Sequence, residues 1–199
     1  MENVFPYKEY VDYTKLKLSE EGEYSITKKK DAESILAFMK SILGTLDDKT
    51  ITDATACNGG DTINFALRFK HVNSIEMKKE NYEILTNNIR VFDLTNVRAY
   101  LGDSTKLYHW HTSVLYVDPP WGGPNYRDFK DLDLFIGDTR LDMWVESVLE
   151  RENRPGHIFL KLPFNYNFRR LHFLPNVKQM ISYRVRAPLV VICIVVSLV

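Results

Sequence analysis

The chain lacks several features that would assign it to other classes of protein. It has only two cysteines, Cys57 and Cys193, which excludes a disulfide framework and predicts a reducing compartment. It has no excess of charge, because 26 Lys and Arg balance 26 Asp and Glu, and this argues against a general polyanion binder. The apolar run over residues 187–199 is shorter than the roughly 20 residues that cross a membrane, so we expect no membrane partner.

Metal-binding and export patterns are also missing. The five histidines and two cysteines do not stand at metal-ligand spacings, so we expect no metal site. The first residues are acidic and aromatic where a secretory leader is basic and then apolar. We therefore expect an intracellular protein, nuclear or cytoplasmic, of cellular or viral origin. Its 199 residues are 45% hydrophobic, which suffices for one globular core, and we expect a monomer.

Short apolar segments alternate with amphipathic patterns through most of the chain. Helices are predicted over residues 31–46, 62–69, 79–91 and 142–151, and residues 132–136 are predicted to be irregular. Strands are predicted over residues 50–53, 72–75, 97–100, 113–117, 157–162, 177–186 and 187–197. This order predicts an α/β, Rossmann-like fold with a mostly parallel seven-stranded sheet, an antiparallel last strand and helices on both faces. We expect residues 1–28 to form an amino-terminal arm that contributes to the substrate site, and residues 29–199 to form the main domain.

Acidic residues follow each of the first three predicted strands. Asp53 precedes a turn of small residues, Glu76 ends the second strand and Asp103 follows the third. Carboxyl ends of parallel strands share one edge, where Glu76 suits two ribose hydroxyls and Asp103 an adenine amino group. The turn has few glycines with which to cradle phosphate, so the pattern favours S-adenosylmethionine over a dinucleotide. The candidate cofactor-binding residues are Asp53, Thr55, Ala56, Cys57, Gly59, Thr62, Glu76, Asp103 and Asp118.

The segment Asp118-Pro-Pro-Trp-Gly-Gly-Pro124 follows the fourth predicted strand. An acidic or amide residue, two prolines and an aromatic residue are typical of enzymes that methylate an amino group on a flat ring. The Asp118 carboxylate and the Pro119 carbonyl can accept hydrogen bonds from that amine and favour a nucleophilic nitrogen. The prolines restrict φ and remove competing donors, while Trp121 offers a stacking face. We predict that Asp118, Pro119 and Trp121 are catalytic.

With these motifs, the chain resembles the trimethylguanosine synthases. These class I methyltransferases use S-adenosylmethionine to methylate the N2 amine of a 7-methylguanosine RNA cap, and leave S-adenosylhomocysteine. The resemblance rests on the Asp118 loop, on the turn and helix over residues 53–66, and on residues 16–27. It implies that capped RNA is the partner. The cap base is cationic, so stacking on Trp121 would gain roughly 0.5–2 kcal/mol from the cation–π interaction.

The resemblance also implies a substrate site. Ser25 and Thr27 match the family's amino-terminal segment, and Lys28, Arg127 and Arg169 are candidates for the cap phosphates. Phe164 and its neighbour Tyr166 either form the opposite wall of the pocket or simply cover the end of the sheet. The candidate substrate-binding residues are Ser25, Thr27, Lys28, Pro120, Trp121, Asn125, Arg127, Phe164 and Arg169.

Two departures from the family pattern keep other functions open. Thr55 and Cys57 occupy glycine positions of the turn, where a positive φ would be strained, and this favours a non-catalytic cap- or cofactor-binding subunit. Asp118 stands where many family members have serine, and this favours an amino methyltransferase acting on another base, in rRNA, tRNA or DNA. The sequence does not distinguish one methyl addition from two.

Overall fold

The computed structural model describes residues 1–197, with the backbone alone for Pro124. Its α-helices are α1 (Glu20–Ser25), α2 (Lys29–Leu43), α3 (Gly60–Ala66), α4 (Lys79–Val91), α5 (Ser104–Leu107) and α6 (Leu141–Leu149). Its strands are β1 (Thr50–Asp53), β2 (His71–Glu76), β3 (Val97–Leu101), β4 (Val114–Val117), β5 (Phe135–Ile136), β6 (Thr139–Arg140), β7 (His157–Pro163), β8 (Val177–Arg186) and β9 (Leu189–Val196). Short 3-10 helices cover Tyr13–Lys15, Pro124–Asp128 and Phe168–Leu171.

Seven of the strands form one sheet in the order β3-β2-β1-β4-β7-β9-β8. β2 is parallel to β1 and β3, β4 is parallel to β7, and β9 is antiparallel to both β7 and β8. The predicted α/β fold with a mostly parallel sheet and an antiparallel last strand is confirmed. The remaining two residues of the predicted apolar run, 198 and 199, lie outside the described residues.

The chain forms two compact units, of which the first covers residues 1–104. In this unit the amino-terminal arm packs into a core, because Phe5, Leu16 and Ile26 are buried against Ile63 and Phe92. α1 begins at Ser19, whose hydroxyl accepts the Gly22 N–H, a common helix N-cap. The boundary of the arm at residue 28 stays a prediction.

A local sequence signal sets the carboxyl-terminal end of α2. The helix runs over Lys29–Leu43, two to three residues earlier than the predicted range. It ends at Gly44, whose φ of 72° is easily adopted only by a residue without a Cβ. The helix therefore ends three residues before the predicted end at residue 46.

The second unit begins at residue 105 and is built on the apolar strands β4, β7 and β9. α6 contributes Trp144, Val145 and Val148 to its core. The prediction that residues 132–136 are irregular is wrong at its end, because Phe135 and Ile136 pair with Arg140 and Thr139 in a hairpin. The two-residue turn contains Gly137 at a φ of 55°, a conformation typical of tight hairpins. Among residues 1–197 we find no helix with the length and apolarity of a membrane span.

Candidate active site

Asp53, at the end of β1, is held in one orientation by its neighbours. Its side chain is 1% exposed; Oδ2 accepts the Thr62 hydroxyl at 2.6 Å, and Oδ1 accepts the Thr55 N–H at 3.3 Å. Because Thr62 donates its one proton to Asp53, the Ser74 hydroxyl, 2.8 Å away, must donate to Thr62. Thr62 is fully buried, and its hydroxyl holds the Asp53 side chain in place.

Glu76, at the end of β2, binds the turn that follows β1. Its Oε2 accepts the Cys57 N–H at 2.8 Å and its Oε1 accepts the Lys78 N–H at 2.7 Å. Burial raises the pKa of the Glu76 carboxyl above its ordinary value, while the two N–H donors act in the opposite direction. Each carboxylate oxygen keeps a second lone pair, so Glu76 can also accept bonds from two hydroxyl groups.

The turn itself contains two left-handed residues. Gly59 has a φ of 91°, and a Cβ there would lie 2.8 Å from the Leu85 Cδ1 atom. Cys57 has a φ of 46°, which is unfavourable for a residue with a Cβ and realises the strain expected at this position. Burial raises the pKa of the Cys57 thiol to about 12, so the thiol is protonated at neutral pH. Ala56 is buried and its N–H donates to the Ile75 carbonyl at 2.9 Å, which ties the turn to β2.

A buried polar network joins this turn to the amino-terminal arm. The Asn58 Oδ1 atom accepts the Ser19 N–H at 2.8 Å, and Asn81 Oδ1 accepts the Ser19 hydroxyl at 2.7 Å and the Asn58 amide at 3.1 Å. α1 approaches so closely that a Cβ on Gly22 would lie 1.8 Å from Asn58 Oδ1. The sequence analysis did not find this network. Its signal was the buried side of α4, which carries Asn81 and Asn88 along with Leu85.

The other predicted residues of the first unit lie around this turn. Ser25 is exposed, with its hydroxyl 3.7 Å from the Cys57 sulfur, and Lys28 is also exposed. Thr27 is buried and donates to Asp61 at 2.6 Å. Asp103 follows Gly102, whose N–H donates to the Glu76 carbonyl at 2.9 Å, so Asp103 lies beside the end of β2. The first unit therefore brings Asp53, Cys57, Glu76 and Asp103 to one edge of its strands.

In the second unit, Asp118 is paired with a lysine that the sequence analysis overlooked. Lys161, on β7, is 5% exposed, and its Nζ donates to Asp118 Oδ2 at 2.5 Å. The same nitrogen lies 5.9 Å from the centroid of the Trp121 ring, within cation–π range. A lysine within an apolar strand is costly to bury without an acidic partner, and that was the signal available in the sequence.

Trp121 is half-buried and is oriented by Tyr126. The two rings meet edge to face with centroids 5.1 Å apart. The indole Nε1 is buried and has no hydrogen-bond partner within residues 1–197. Gly122 and Gly123, at φ values of 88° and 84°, border open space, because a Cβ on either would meet nothing within 4 Å. The loop thus holds an oriented indole beside a backbone that a ligand can approach.

The remaining predicted residues of this loop differ in exposure. Pro119 is buried, whereas Pro120, Asn125 and Arg127 are exposed. The Arg127 guanidinium carbon lies 5.6 Å from the centroid of the Tyr126 ring. Arg127 is therefore on the exposed side of the ring pair, at the surface of the second unit.

The predicted substrate-site residues after β7, Phe164, Tyr166 and Arg169, differ in their exposure and surroundings. Phe164 is 60% exposed, whereas Tyr166 is 3% exposed and packs edge-on against Phe168. Arg169 is exposed and lines a cleft of about 450 Å³ together with Asp131, Asp142 and Glu146. These carboxylates weaken the attraction of Arg169 for an anion, and its assignment to the cap phosphates stays a prediction.

No group of three or more potential metal ligands occurs in the described part of the chain. The polar and aromatic groups that the site offers are its carboxylates, its amides, its aromatic rings and the Lys161 ammonium. Carboxylates at the ends of parallel strands fit the hydroxyl and amino groups of an adenosine cofactor.

Comparison with known proteins assigns the fold and the family. The chain is 38% identical over 122 residues to the uncharacterized protein L320 of Acanthamoeba polyphaga mimivirus, covering 59% of this chain and 47% of that protein. It is 29% identical over 147 residues to the trimethylguanosine synthase of Schizosaccharomyces pombe, covering 64% of this chain and 60% of that protein. The chain thus spans about half to three fifths of the length of these relatives.

A solved structure with the same fold is the Thermus thermophilus 16S rRNA N2 G1207 methyltransferase RsmC in complex with AdoMet and guanosine. It superposes with a TM-score of 0.65 at 16% identity, covering 83% of this chain and 42% of that one. A model of the RNA cap guanine-N2 methyltransferase family matches residues 48–190, which include the strand-end acids and the Asp118 loop. This chain belongs to the RNA cap guanine-N2 methyltransferase family.

Proposed function

We propose that the chain transfers a methyl group from S-adenosylmethionine to the exocyclic N2 amine of a 7-methylguanosine RNA cap. The observation that carries the proposal is the loop after β4, where Asp118 is paired with Lys161 and Trp121 is oriented by Tyr126. Support also comes from the family match and from the synthase of Schizosaccharomyces pombe. When bound, the cofactor supplies an electrophilic methyl group on a sulfonium.

The residues of the first unit would hold the cofactor. Glu76 accepts the two ribose hydroxyls, and Asp103 accepts the adenine amino group. Asp53, oriented by Thr62, contributes a negative charge near the sulfonium end, and the turn from Thr55 to Gly59 lets the backbone approach. Ala56 and Cys57 belong to the same turn.

The loop of the second unit would hold the base. The Trp121 ring stacks on the purine, and stacking on an aromatic ring contributes about 1–3 kcal/mol per base. Asp118 and the Pro119 carbonyl accept the N2–H bonds, while Pro120 and Asn125 complete the exposed side of the loop. Lys28, Arg127 and Arg169 are the candidates for the cap phosphates. Ser25 is a further candidate for the substrate, whereas Thr27 is buried against Asp61 and would act only through its neighbours.

Lys161 would act as a positioning residue for Asp118. A carboxylate offers about four lone-pair sites, so Asp118 can accept from Lys161 and from the amine together. The ammonium holds the carboxylate in one rotamer and stabilises its negative charge. Asp118 is thereby presented as an acceptor that keeps the N2 lone pair out of the ring, and positioning provides most of the acceleration.

The test is a methyl-transfer assay with purified protein on 7-methyl-GTP, GTP and a short unmodified RNA. We expect 7-methyl-GTP to be preferred over GTP by roughly 2- to 30-fold, the equivalent of a cation–π contribution of 0.5–2 kcal/mol. Equal rates on both nucleotides would remove the cation–π argument. Activity only on unmodified RNA would overturn the cap assignment in favour of another base substrate.

Asp118 favours that second function, an amino methyltransferase of another base. An acid is common at this position among such enzymes, and its pairing with Lys161 shows that the carboxylate is accommodated by the fold. A non-catalytic role predicts a different result, namely no methyl transfer to any of these substrates. If the chain binds only the cap, calorimetry would detect no S-adenosylmethionine binding at millimolar concentration; if it binds the cofactor, calorimetry would detect binding without transfer.

A further inference from the structure

Charge is unevenly distributed along this neutral chain. No Asp or Glu follows Glu152, whereas residues 153–199 contain seven Lys and Arg. The first 152 residues therefore hold all 26 acids against the other 19 of the 26 basic residues. The carboxyl-terminal quarter of the chain is a basic segment on an otherwise acidic protein.

Three of these seven cations are buried or half-buried. Arg154 donates to the Ser197 carbonyl, Lys161 pairs with Asp118, and Arg170 pairs with Asp133. The other four side chains, those of Arg169, Lys178, Arg184 and Arg186, are exposed to solvent, and the last three of them belong to the edge strand β8.

The strand register places Arg184 and Arg186 at the same edge of the sheet as the Asp118 loop. Val117, the residue before Asp118, is paired with Leu160 on β7. Farther along that edge, Pro163 is paired with Leu189, and Leu189 is paired with Arg186. Arg186 is thus three strands away from Asp118, which corresponds to about 14 Å across the sheet.

An exposed aromatic residue, Phe164, follows β7, which lies between β4 and β8 in the sheet. The Phe164 N–H donates to the Pro188 carbonyl at 2.9 Å, which fixes the residue at the end of β7. Its ring is 60% exposed, although an aromatic ring of this size is usually buried. We call Phe164, Arg184 and Arg186 the β8 strip: one stacking face and two guanidinium groups along one edge.

We propose that the β8 strip binds the RNA nucleotides that follow the cap. Single-stranded RNA is recognised by cationic groups that contact its phosphates and by aromatic rings on which its bases stack. Arginine suits phosphate because its planar guanidinium can donate two parallel hydrogen bonds. The proposal rests on the proposed function, and it makes the enzyme selective for a cap attached to a chain over a free cap nucleotide.

β8 provides a matched control. Lys178 is exposed and cationic like Arg184 and Arg186, but it lies near the other end of the strand. The neighbouring Val177 pairs with Val196, and Val195 pairs with His157 at the start of β7. Eight residues of strand separate Lys178 from Arg186, or about 26 Å.

The experiment compares the wild type with R184Q/R186Q and with K178Q. Binding of a 5′-fluorescent decamer RNA bearing the cap, and of 7-methyl-GTP, is measured by anisotropy and calorimetry at several salt concentrations. Each phosphate contact to a single strand contributes about 0.7 to the slope of log K against log salt, so R184Q/R186Q should lower the slope by about 1.4. K178Q should leave the slope unchanged, and thermal unfolding should be the same for all three proteins.

Kinetics separate the strip from the cap site. We expect R184Q/R186Q to raise KM for capped RNA and to leave kcat/KM for 7-methyl-GTP unchanged. Equal salt slopes for R184Q/R186Q and the wild type, or an equal decrease of the slope in K178Q, would overturn the proposal that the β8 strip binds RNA. A change only in self-association of R184Q/R186Q, measured by light scattering, would overturn it as well. Absence of methyl transfer to both capped RNA and 7-methyl-GTP in the wild type would instead overturn the proposed function, while the difference in salt slope would still test whether the β8 strip binds RNA.

Discussion

The strand-end acids of the first unit and the loop after β4 in the second unit differ in how their polar groups are satisfied. Asp53 and Glu76 are buried and accept bonds from their own chain, through Thr62, Cys57 and Lys78. In the loop after β4, by contrast, the buried Trp121 Nε1 has no hydrogen-bond partner within residues 1–197. Three more such atoms, Asn165 Oδ1, Tyr166 Oη and Asn167 Oδ1, follow β7 in the same unit, and Ser104 Oγ is one in the first unit.

The difference indicates how each region meets its ligand. A site whose carboxylates are already held by the protein is preorganised, so the entropic cost of ordering its side chains on ligand binding is small. Buried polar atoms without a partner are costly, so a ligand that supplies the partner gains affinity. We therefore expect changes in the second unit to affect turnover most, and changes in the first unit to affect stability and cofactor affinity.

The largest expected effect is that of Trp121→Ala on turnover. Loss of stacking and of the cation–π contribution should lower kcat/KM for 7-methyl-GTP on the order of a hundredfold or more. The control is Trp110→Ala, which removes a half-buried indole that packs edge-on against Tyr108 in the same unit. Near-normal turnover by the Trp121 variant with an unchanged melting temperature would remove this residue from the site.

The next effect concerns the Asp118–Lys161 pair. Asp118→Ser deprives a buried ammonium of this carboxylate, and breaking a buried pair in this way costs about 3–5 kcal/mol in the free energy of unfolding. The double variant D118S/K161M should recover much of that loss, because the uncompensated charge is gone. Urea unfolding measures both. Equal stability of the single and double variants would show that the two side chains are not coupled.

Glu76→Gln tests the preorganised cofactor side. Hydrogen bonds to a charged group contribute about 1.5–3 kcal/mol, so S-adenosylmethionine should bind roughly 10- to 100-fold more weakly. Burial raises the pKa of Glu76, so the wild-type carboxylate becomes protonated at a higher pH than an ordinary glutamate. Cofactor affinity should therefore begin to fall at that higher pH as the solution is acidified. Calorimetry across pH that shows the same dependence in Glu76→Gln would assign it to another group.

Gly22→Ala tests the network between the arm and the turn. The new Cβ would overlap Asn58 Oδ1 at 1.8 Å, and overpacking of this kind costs about 1–3 kcal/mol. Gly156→Ala is the matched control, because its Cβ would lie 3.8 Å from the nearest atom, the Ser113 carbonyl oxygen. Denaturant midpoints should fall for the first variant only. Indistinguishable midpoints would mean that α1 is not held against the turn.

The smallest effect is expected at Cys57. Its left-handed backbone costs about 1–2 kcal/mol with a Cβ, and glycine forfeits about 0.5–1 kcal/mol of chain entropy, so Cys57→Gly should gain up to about 1.5 kcal/mol. Ala56→Gly, where φ is not positive, should instead lose stability. A destabilised Cys57→Gly protein would show that the thiol contributes more to packing than the strain costs.

Contiguous motifs were recovered from the sequence, whereas partners from distant elements were not. β1 and α4 were predicted with their observed bounds, because their apolar periodicity and end signals are local. Lys161 and Asp118 are 43 residues apart, and Ser19 and Asn58 are 39 apart, so no spacing rule relates them. Phe164 and Tyr166 are two aromatic residues of the same segment after β7, yet Phe164 is exposed and Tyr166 is buried.

The sequence by itself determined the chain order of the seven strands of the main sheet and of the four longest helices, the acids at the strand ends and the Asp-Pro-Pro-Trp loop, because each depends on neighbouring residues. Only the tertiary structure decided which buried charge pairs with which, how closely α1 approaches the turn, and which cations stay exposed at the edge of the sheet. Those outcomes depend on packing between segments that are far apart in the chain. A buried polar or charged group is costly without a partner, and the fold decides which partner is close enough to bind it.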